Sequence, residues 1–138
     1  MPGNMTIGQL AKAAGVHVET IRYYQRRGLL TAPKRPLGGQ RKYPVEALQR
    51  ISFIRRAQEV GFTLEEILGL IGMAARDDCE ASCHAARDKL AELEQRLTVV
   101  TRMRREMRTL VAACDARRPK EACPLIEYLS REGEGPRA

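Results

Sequence analysis

Residues 6–30 read TIGQLAKAAGVHVETIRYYQRRGLL, and this stretch decides the fold of the N-terminal half of the chain. Apolar residues recur at helical spacing from Ile7 to Ala14, and Gly15 is placed to end that helix in a left-handed turn. A second helical pattern runs from Val18 to Arg27, carries three arginines and stops at Gly28. Two short helices around a glycine turn, the second of them basic, predict a helix-turn-helix.

A basic, turn-forming segment follows the two helices. Leu29 to Tyr43 contains two prolines and two adjacent glycines among four lysines and arginines, a composition that excludes a helix and indicates a hairpin. We interpret it as a small β wing beside the second helix. Beyond it, Pro44 suits the first position of a helix from Val45 to Val60, and a capping box at Thr63 predicts one more short helix. Residues 1–75 are therefore predicted to form a winged helix-turn-helix domain.

The positive charge is confined to this part of the chain. Met1 to Val60 holds eleven lysines and arginines against three acidic residues, a balance of +8, whereas Gly61 to Ala138 has a balance of −1. Because affinity for nucleic acid depends largely on lysine and arginine neutralising phosphates, a surplus confined to one domain favours a DNA-binding face. The alternative is a basic surface that serves only solubility.

One long helix opens the second half. Residues 80–113 contain neither glycine nor proline, which predicts a helix on the order of 50 Å long. Its apolar seam consists of Leu90, Leu93, Leu97, Val100, Met107 and Leu110. A small head cannot cover such a seam, so residues 76–113 are expected to pair with the same helix of a second subunit as a coiled coil. A helix folded back onto its own head is the alternative.

The end of the chain is a loop bracketed by cysteines. Pro119 prevents the long helix from continuing, so residues 114–138 are predicted to form a loop, a short helix from Leu125 to Ser130 and a frayed end from Gly133. The predicted fold class is dominated by α-helix, with a winged helix-turn-helix head, a long dimerisation helix and this C-terminal loop and short helix.

All four cysteines lie in the second half. The sequence has no membrane-spanning run and no signal peptide, so we expect a cytosolic protein in which thiols serve as metal ligands or buried residues. Thiolates favour soft metal ions. Cys79 and Cys114 stand at opposite ends of the long helix, roughly 50 Å apart, and can share an ion only if a partner helix runs antiparallel. The alternatives are simple packing at Cys114, burial at Cys123 and a local pair of Cys79 with Cys83.

An enzyme is disfavoured by the same sequence. The only histidines are His17 and His84, and no glycine loop of the phosphate-binding type is present. A cysteine–histidine pair is conceivable only at Cys83 and His84, and adjacent helical residues do not face each other.

Several motifs together resemble the MerR family of transcription regulators. They are Thr6 to Ala11, Thr20 to Tyr24, Arg27 to Leu30 and Arg41 to Tyr43, and the resemblance covers residues 5 to about 130. The cysteine spacing is similar to that of the mercury-responsive branch, which implies Hg(II) as the effector and Cys79, Cys114 and Cys123 as its ligands. Relatives responsive to Pb(II) or Cd(II) carry the same spacing and are the alternative. Cys83 has no counterpart in that ligand set.

The resemblance further implies a homodimer that binds double-stranded operator DNA and acts with RNA polymerase. With metal bound it would distort the promoter and activate it, and without metal it would repress. We place the helix Val18 to Arg27 in the major groove. The side chains expected at the DNA are Val18, Thr20, Arg22, Tyr23, Arg26, Arg41, Lys42 and Tyr43. A metal-independent DNA-binding regulator and a metal-buffer protein are the competing hypotheses.

Overall fold

The structure, a computed structural model, describes residues 5–131 and places six helices in that range. They are α1 (Ile7–Ala14), α2 (Val18–Arg26), α3 (Val45–Glu59), α4 (Leu64–Ala75), α5 (Cys79–Ala116) and α6 (Pro124–Ser130). The predicted fold class, dominated by α-helix, is confirmed. The frayed end predicted from Gly133 lies outside the described residues. Over the residues described, none of the helices is both long enough and apolar enough to cross a membrane.

The chain divides into two compact units. The first ends at Lys89 and the second begins at Leu90, so the boundary falls inside α5. The first unit contains α1 to α4 and the start of α5, and the second contains the rest of α5 and α6. The division into a DNA-binding domain, a dimerisation helix and a metal-binding loop remains a prediction.

Local signals set both ends of the first helix, and the stop at Gly15 is as predicted. Thr6 caps α1 in a capping box, in which its Oγ1 accepts from the Gln9 N–H at 3.2 Å and its own N–H donates to Gln9 Oε1 at 2.9 Å. Gly15 ends α1 with a φ of 69°, a left-handed conformation that a residue with a Cβ adopts at a cost. The tight turn after Gly15 brings α2 directly against α1.

A single core holds the head together. Its fully buried or nearly buried side chains come from all four helices of the head and from the segment between α2 and α3. They are Leu10, Ala11, Ile21, Tyr24, Leu29, Leu30, Tyr43, Ala47, Ile51, Ile54 and Ile67. The Tyr24 hydroxyl donates to Gln58 Oε1 at 3.0 Å, and burial raises the pKa of this phenol above its ordinary value.

The segment predicted as a β wing has little regular structure. The Gly39 N–H donates to the Pro36 carbonyl at 3.1 Å, which forms a turn, and no strand is assigned in the described residues. The segment is closed by one antiparallel bridge, in which Met5 and Tyr43 exchange backbone hydrogen bonds of 3.1 and 2.7 Å. The backbone of Met5 therefore fixes the end of the wing.

The long helix extends further at both ends than predicted. It covers Cys79–Ala116 rather than residues 80–113, so Cys114 lies in its last turn and not in the loop that follows. No helix-breaking residue occurs before Pro119, and the helix ends three residues ahead of it, as steric crowding before proline favours. At the other end, Asp78 Oδ1 accepts from the Ala81 N–H at 3.0 Å and caps the first turn.

A buried lysine anchors the first turns of α5 to the head. Lys89 is only 4% exposed, its Nζ lies 2.9 Å from Glu66 Oε1, and the ammonium lies 5.4 Å from the centre of the Phe62 ring. Glu66 is also the capping-box residue of α4, since its Oε1 accepts from the Thr63 N–H at 2.8 Å. One carboxylate therefore serves a helix cap and an ion pair at once.

Replacing Glu66 with glutamine is expected to lower the stability of the head at neutral pH by up to about 1 kcal/mol, the size of a partly exposed ion pair. The backbone N–H of Thr63, followed by the hydrogen bond from Lys89, holds the pKa of Glu66 below its ordinary value. A depressed folded-state pKa means that the stabilisation is complete above the unfolded-state pKa and is lost as the pH falls through the folded-state pKa. The unfolding temperatures of the wild type and of Glu66→Gln, measured over a pH series, should therefore become equal in acid.

The matched control is Glu65→Gln, which removes the same charge from the same helical turn and leaves the contact with Lys89 intact. This control should change the pH profile less than Glu66→Gln does. Equal effects of the two substitutions, or a difference that is independent of pH, would contradict the assignment.

Candidate nucleic-acid interface and metal centre

The exposed face of α2 carries arginine and tyrosine side chains. Arg22, Tyr23 and Arg26 are exposed, and the guanidinium carbons of Arg26 and Arg27 lie 5.7 and 5.9 Å from the centre of the Tyr23 ring. Cations at this distance over an aromatic face are held in place by the ring quadrupole. Arg22 Nη1 lies 2.8 Å from Glu19 Oε1, an ion pair one turn apart on the same helix. The face therefore presents positive groups whose orientation is restricted before any ligand arrives.

A cleft of about 370 Å³ lies between the start of α1, α2 and the wing. Three arginines line it, namely Arg22, Arg35 and Arg41, together with Gln40. Guanidinium groups match phosphate oxygens in charge and in hydrogen-bond geometry. The predicted residues Arg22 and Arg41 are thus brought together, and Arg35 and Gln40 join them without having been singled out as site residues. The proline-flanked basic composition of the wing was the only sequence signal for Arg35.

Three residues named from sequence as DNA contacts are not exposed side chains. Tyr43 is 1% exposed and belongs to the core, and its hydroxyl accepts from Gln25 Nε2 at 2.6 Å. The side chain joins α2 to the end of the wing and also lines the arginine cleft, and its role at the DNA remains a prediction. Val18 and Thr20 are half-buried on α2, and Val18 packs against the core. Lys42, by contrast, is exposed on the wing.

The first pair of thiols lies on the first two turns of α5. The Sγ atoms of Cys79 and Cys83 are 3.8 Å apart, and both residues are exposed. The hydrogen bond with Cys83 and the charge of that neighbour raise the pKa of the Cys79 thiol above its ordinary value. The spacing of four residues accounts for the contact, because such residues lie one above the other on a helix.

The second pair is formed where α5 ends and α6 begins. Cys123 is the N-cap residue of α6, and its side chain makes no capping hydrogen bond. The Ile126 N–H, with smaller contributions from Leu125, Arg117 and the Cys114 thiol, lowers the pKa of Cys123 below its ordinary value. Cys114 lies in the last turn of α5, and both cysteines are exposed.

The predicted ligands Cys79, Cys114 and Cys123 are not assembled within one chain. Cys79 belongs to the first unit, whereas Cys114 and Cys123 belong to the second. Over residues 5–131, no group of three or more cysteine, histidine, aspartate or glutamate side chains is arranged to hold a metal ion. The donor chemistry nevertheless suits a soft ion, because each unit offers two exposed sulfurs and such ions prefer thiolates.

The head contains a helix-turn-helix and an arginine-lined cleft, and a long helix with exposed thiols follows it. These features together are typical of a class of DNA-binding regulators. Residues 5–72 match the MerR HTH family regulatory protein model, and residues 48–110 match the model described as MerR, DNA binding. The chain belongs to the MerR family, a class of transcription regulators and not a class of enzymes. The family resemblance noted in the sequence is confirmed.

Individual relatives cover nearly the whole chain. A mercuric resistance operon regulatory protein from Serratia marcescens is 44% identical over 131 residues, which are 95% of this chain and 91% of the relative. A protein of the same description from Bacillus cereus is 38% identical over 130 residues, 91% of this chain and 97% of the relative. The similarity therefore extends over both compact units and all four cysteines.

Two solved structures resemble this one and contain metal ions. The transcription regulator PbrR691 from Ralstonia metallidurans, in complex with lead(II), has a TM-score of 0.76 and 33% identity, and covers 90% of this chain and 98% of its own. The dual function transcriptional regulator MerR from Bacillus megaterium, in complex with mercury(II), has a TM-score of 0.68 and 32% identity, with 95% and 100% covered.

Proposed function

We propose that this chain forms a homodimeric regulator that binds operator DNA through its two heads and captures mercuric ion with Cys79 of one subunit and Cys114 and Cys123 of the other. Metal capture changes the arrangement of the heads, distorts the promoter and permits transcription by RNA polymerase. Without metal the dimer occupies the same DNA and represses it. A symmetric dimer would contain two equivalent metal sites.

The uncovered apolar face of α5 supports the dimer. In the second unit, seven apolar side chains of α5 are between 38% and 65% exposed, although such residues are ordinarily buried. They are Leu90, Leu93, Leu97, Val100, Met103, Met107 and Val111. Their spacing of three and four residues makes one continuous stripe, the pattern of a helix that packs against another helix. The matching stripe of a second subunit is its proposed partner.

The arrangement of the thiols carries the metal-site proposal. Cys114 in the last turn of α5 and Cys123 at the N-cap of α6 are both exposed, and the backbone N–H groups of that helix start lower the pKa of Cys123, which favours its thiolate form. Two thiolates leave a three-coordinate site one ligand short. Cys79, at the other end of the same 38-residue helix, supplies that ligand when the partner helix runs antiparallel. The site then forms only across the dimer interface.

Mercury is the proposed effector because the relatives from Serratia marcescens and Bacillus cereus are mercuric resistance regulators and the Bacillus megaterium structure holds mercury(II). Lead(II) is the second candidate, favoured by the greater structural similarity to the lead-bound regulator. Cadmium(II) has the same preference for thiolates. An all-thiolate donor set makes magnesium or calcium an unsuitable effector.

Direct contacts to the DNA come from α2 and the wing. The α2 helix enters the major groove, where Arg22, Tyr23 and Arg26 reach phosphates and base edges. Arg35, Arg41 and Lys42 of the wing bind the neighbouring backbone. Tyr43 acts indirectly, since its hydroxyl accepts a hydrogen bond from Gln25 and so fixes the wing against α2. Val18 and Thr20 lie at the edge of the contact surface.

The test of this function begins with an operator isolated from random DNA duplexes by the metal-free protein. Transcription from a promoter that contains this operator is then measured with purified RNA polymerase and with mercury, lead, cadmium or zinc ions in turn. We expect repression without metal and activation by mercury, accompanied by a change in DNA bend measured by fluorescence transfer between the duplex ends. A regulator that ignores every metal, or a chain that binds metal and selects no operator, would refute the proposal.

Arg22→Ala and Arg41→Ala are each expected to weaken operator binding and to reduce the slope of log affinity against log salt by about one phosphate contact. Both side chains line the same cleft, so their effects should not be strictly additive. Binding is measured by fluorescence anisotropy over a range of salt concentrations. Arg56→Ala, which removes an exposed arginine of α3 that does not line the cleft, is the control and should leave the slope unchanged.

A further inference from the structure

Cys83 is a thiol that the proposed three-ligand site does not use. Its Sγ lies 3.8 Å from that of Cys79, and both are exposed. The positions of the two residues are set by a regular helix start, because Asp78 caps the turn through the Ala81 N–H and its carbonyl accepts from the Ser82 N–H at 3.2 Å. The pair is therefore built into the helix and is independent of any loop.

The separation of the two sulfurs matches metal coordination. At the zinc–sulfur distance of about 2.3 Å, two sulfurs bound to a tetrahedral ion lie about 3.8 Å apart, and two bound to a linear ion lie about 4.6 Å apart. The observed 3.8 Å is close to the tetrahedral zinc value, so binding requires little movement of the two sulfurs. Rotation of two exposed side chains can supply the larger separation, since neither is fixed by packing.

We propose that Cys79 and Cys83 form a two-thiolate chelate for a soft or borderline divalent metal ion within a single protomer. On binding, each S–H bond is replaced by a sulfur–metal bond, two protons pass to solvent, and water completes the coordination. This chelate goes beyond the three-thiolate site, because it uses a thiol outside that set and needs no second subunit.

The shared ligand gives the chelate a role in the response. An ion held by Cys79 and Cys83 is already bound to one ligand of the intersubunit site. Transfer to that site requires only exchange of the Cys83 sulfur for those of Cys114 and Cys123, because Cys79 stays bound throughout. Cys83 is thus a capture ligand. It competes with Cys114 and Cys123 for the ion, and this competition influences which ions are retained.

The test uses the full-length, reduced Cys114→Ser/Cys123→Ser protein, in which only the proposed chelate remains. Thiols are counted first, and cadmium ion alone is then titrated while sulfur-to-cadmium charge-transfer absorption is recorded. We expect saturation at one cadmium ion per chain. Adding Cys83→Ser to this protein should reduce the affinity roughly 100-fold, the order of loss when two linked donors become one.

A thiol moved along the helix provides the matched control. His84→Cys, introduced together with Cys83→Ser, restores the number of thiols but turns the new one about 100° around the helix from its former direction. This variant should not recover the affinity. Recovery by His84→Cys, an unchanged affinity after Cys83→Ser, or no binding by the Cys114→Ser/Cys123→Ser protein would each overturn the proposal. The intersubunit site is tested separately, by measuring metal binding to a Cys83→Ser protein that retains Cys79, Cys114 and Cys123.

Discussion

A heterodimer of a Cys79→Ser chain and a Cys114→Ser/Cys123→Ser chain is expected to recover one tight mercuric site, although neither homodimer keeps one. The reason is the geometry of the proposed site, which takes Cys79 from one subunit and Cys114 and Cys123 from the other. In the heterodimer the three intact ligands meet at one end of the paired helices, and all three are absent at the other end. A site contained within one subunit could not be recovered in this way.

The measurement is a mercury titration in competition with a soluble thiol, which removes ions held by fewer than three protein ligands. All chains carry Cys83→Ser, so that the proposed local chelate cannot contribute. We expect the homodimers to bind mercury roughly 100-fold or more weakly than the parent, as donors held in one site are lost. Differently tagged chains are refolded together and purified as heterodimers. If the heterodimers bind mercury as weakly as the homodimers do, the antiparallel, intersubunit site is excluded.

The same variants should separate metal sensing from DNA binding. The four thiols are remote in sequence from Arg22 and Arg41, and none of them lines the arginine cleft. Operator affinity of the metal-free Cys114→Ser/Cys123→Ser protein should therefore equal that of the wild type, while activation by mercury is lost. A parallel loss of operator affinity would indicate that these cysteines stabilise the fold.

Much of the head could be predicted because its signals are local. The capping boxes at Thr6 and Thr63 and the stop at Gly15 depend on residues within one helical turn, and the structure contains all three. The bridge between Met5 and Tyr43 was not predicted, since it joins residues far apart in sequence. No local pattern specifies such a partner.

The site residues also differ in whether their contacts follow from local sequence or from residues far apart in the chain. The contact of Cys79 with Cys83 follows from helical spacing alone, and a local pair of these cysteines is one of the alternatives that the sequence predicts. The burial of Tyr43 does not follow, because a tyrosine after two basic residues resembles an exposed contact until Gln25 and the core are placed around it. The inclusion of Arg35 in the cleft likewise depends on how the wing folds against α1 and α2.

Leu97→Glu is the second substitution expected to have a large effect, and it tests the dimer on which both the metal site and operator binding depend. Leu97 is 65% exposed in the middle of the apolar stripe of α5. A symmetric interface would bury the new carboxylate twice, once from each subunit. We expect dimerisation to weaken by at least about 4 kcal/mol, or roughly 1,000-fold in the dissociation constant.

Sedimentation over a range of concentrations measures the change, and circular dichroism shows whether α5 remains helical. Gln95→Glu is the matched control, because it adds the same charge two residues away on the opposite face of the helix. This control should remain dimeric. For Leu97→Glu, operator affinity should fall together with dimerisation, because a single head contacts only half of an inverted repeat. If Leu97→Glu stays dimeric with unchanged affinity, the stripe is not the dimer interface, and Cys79 then has no route to the partner's Cys114.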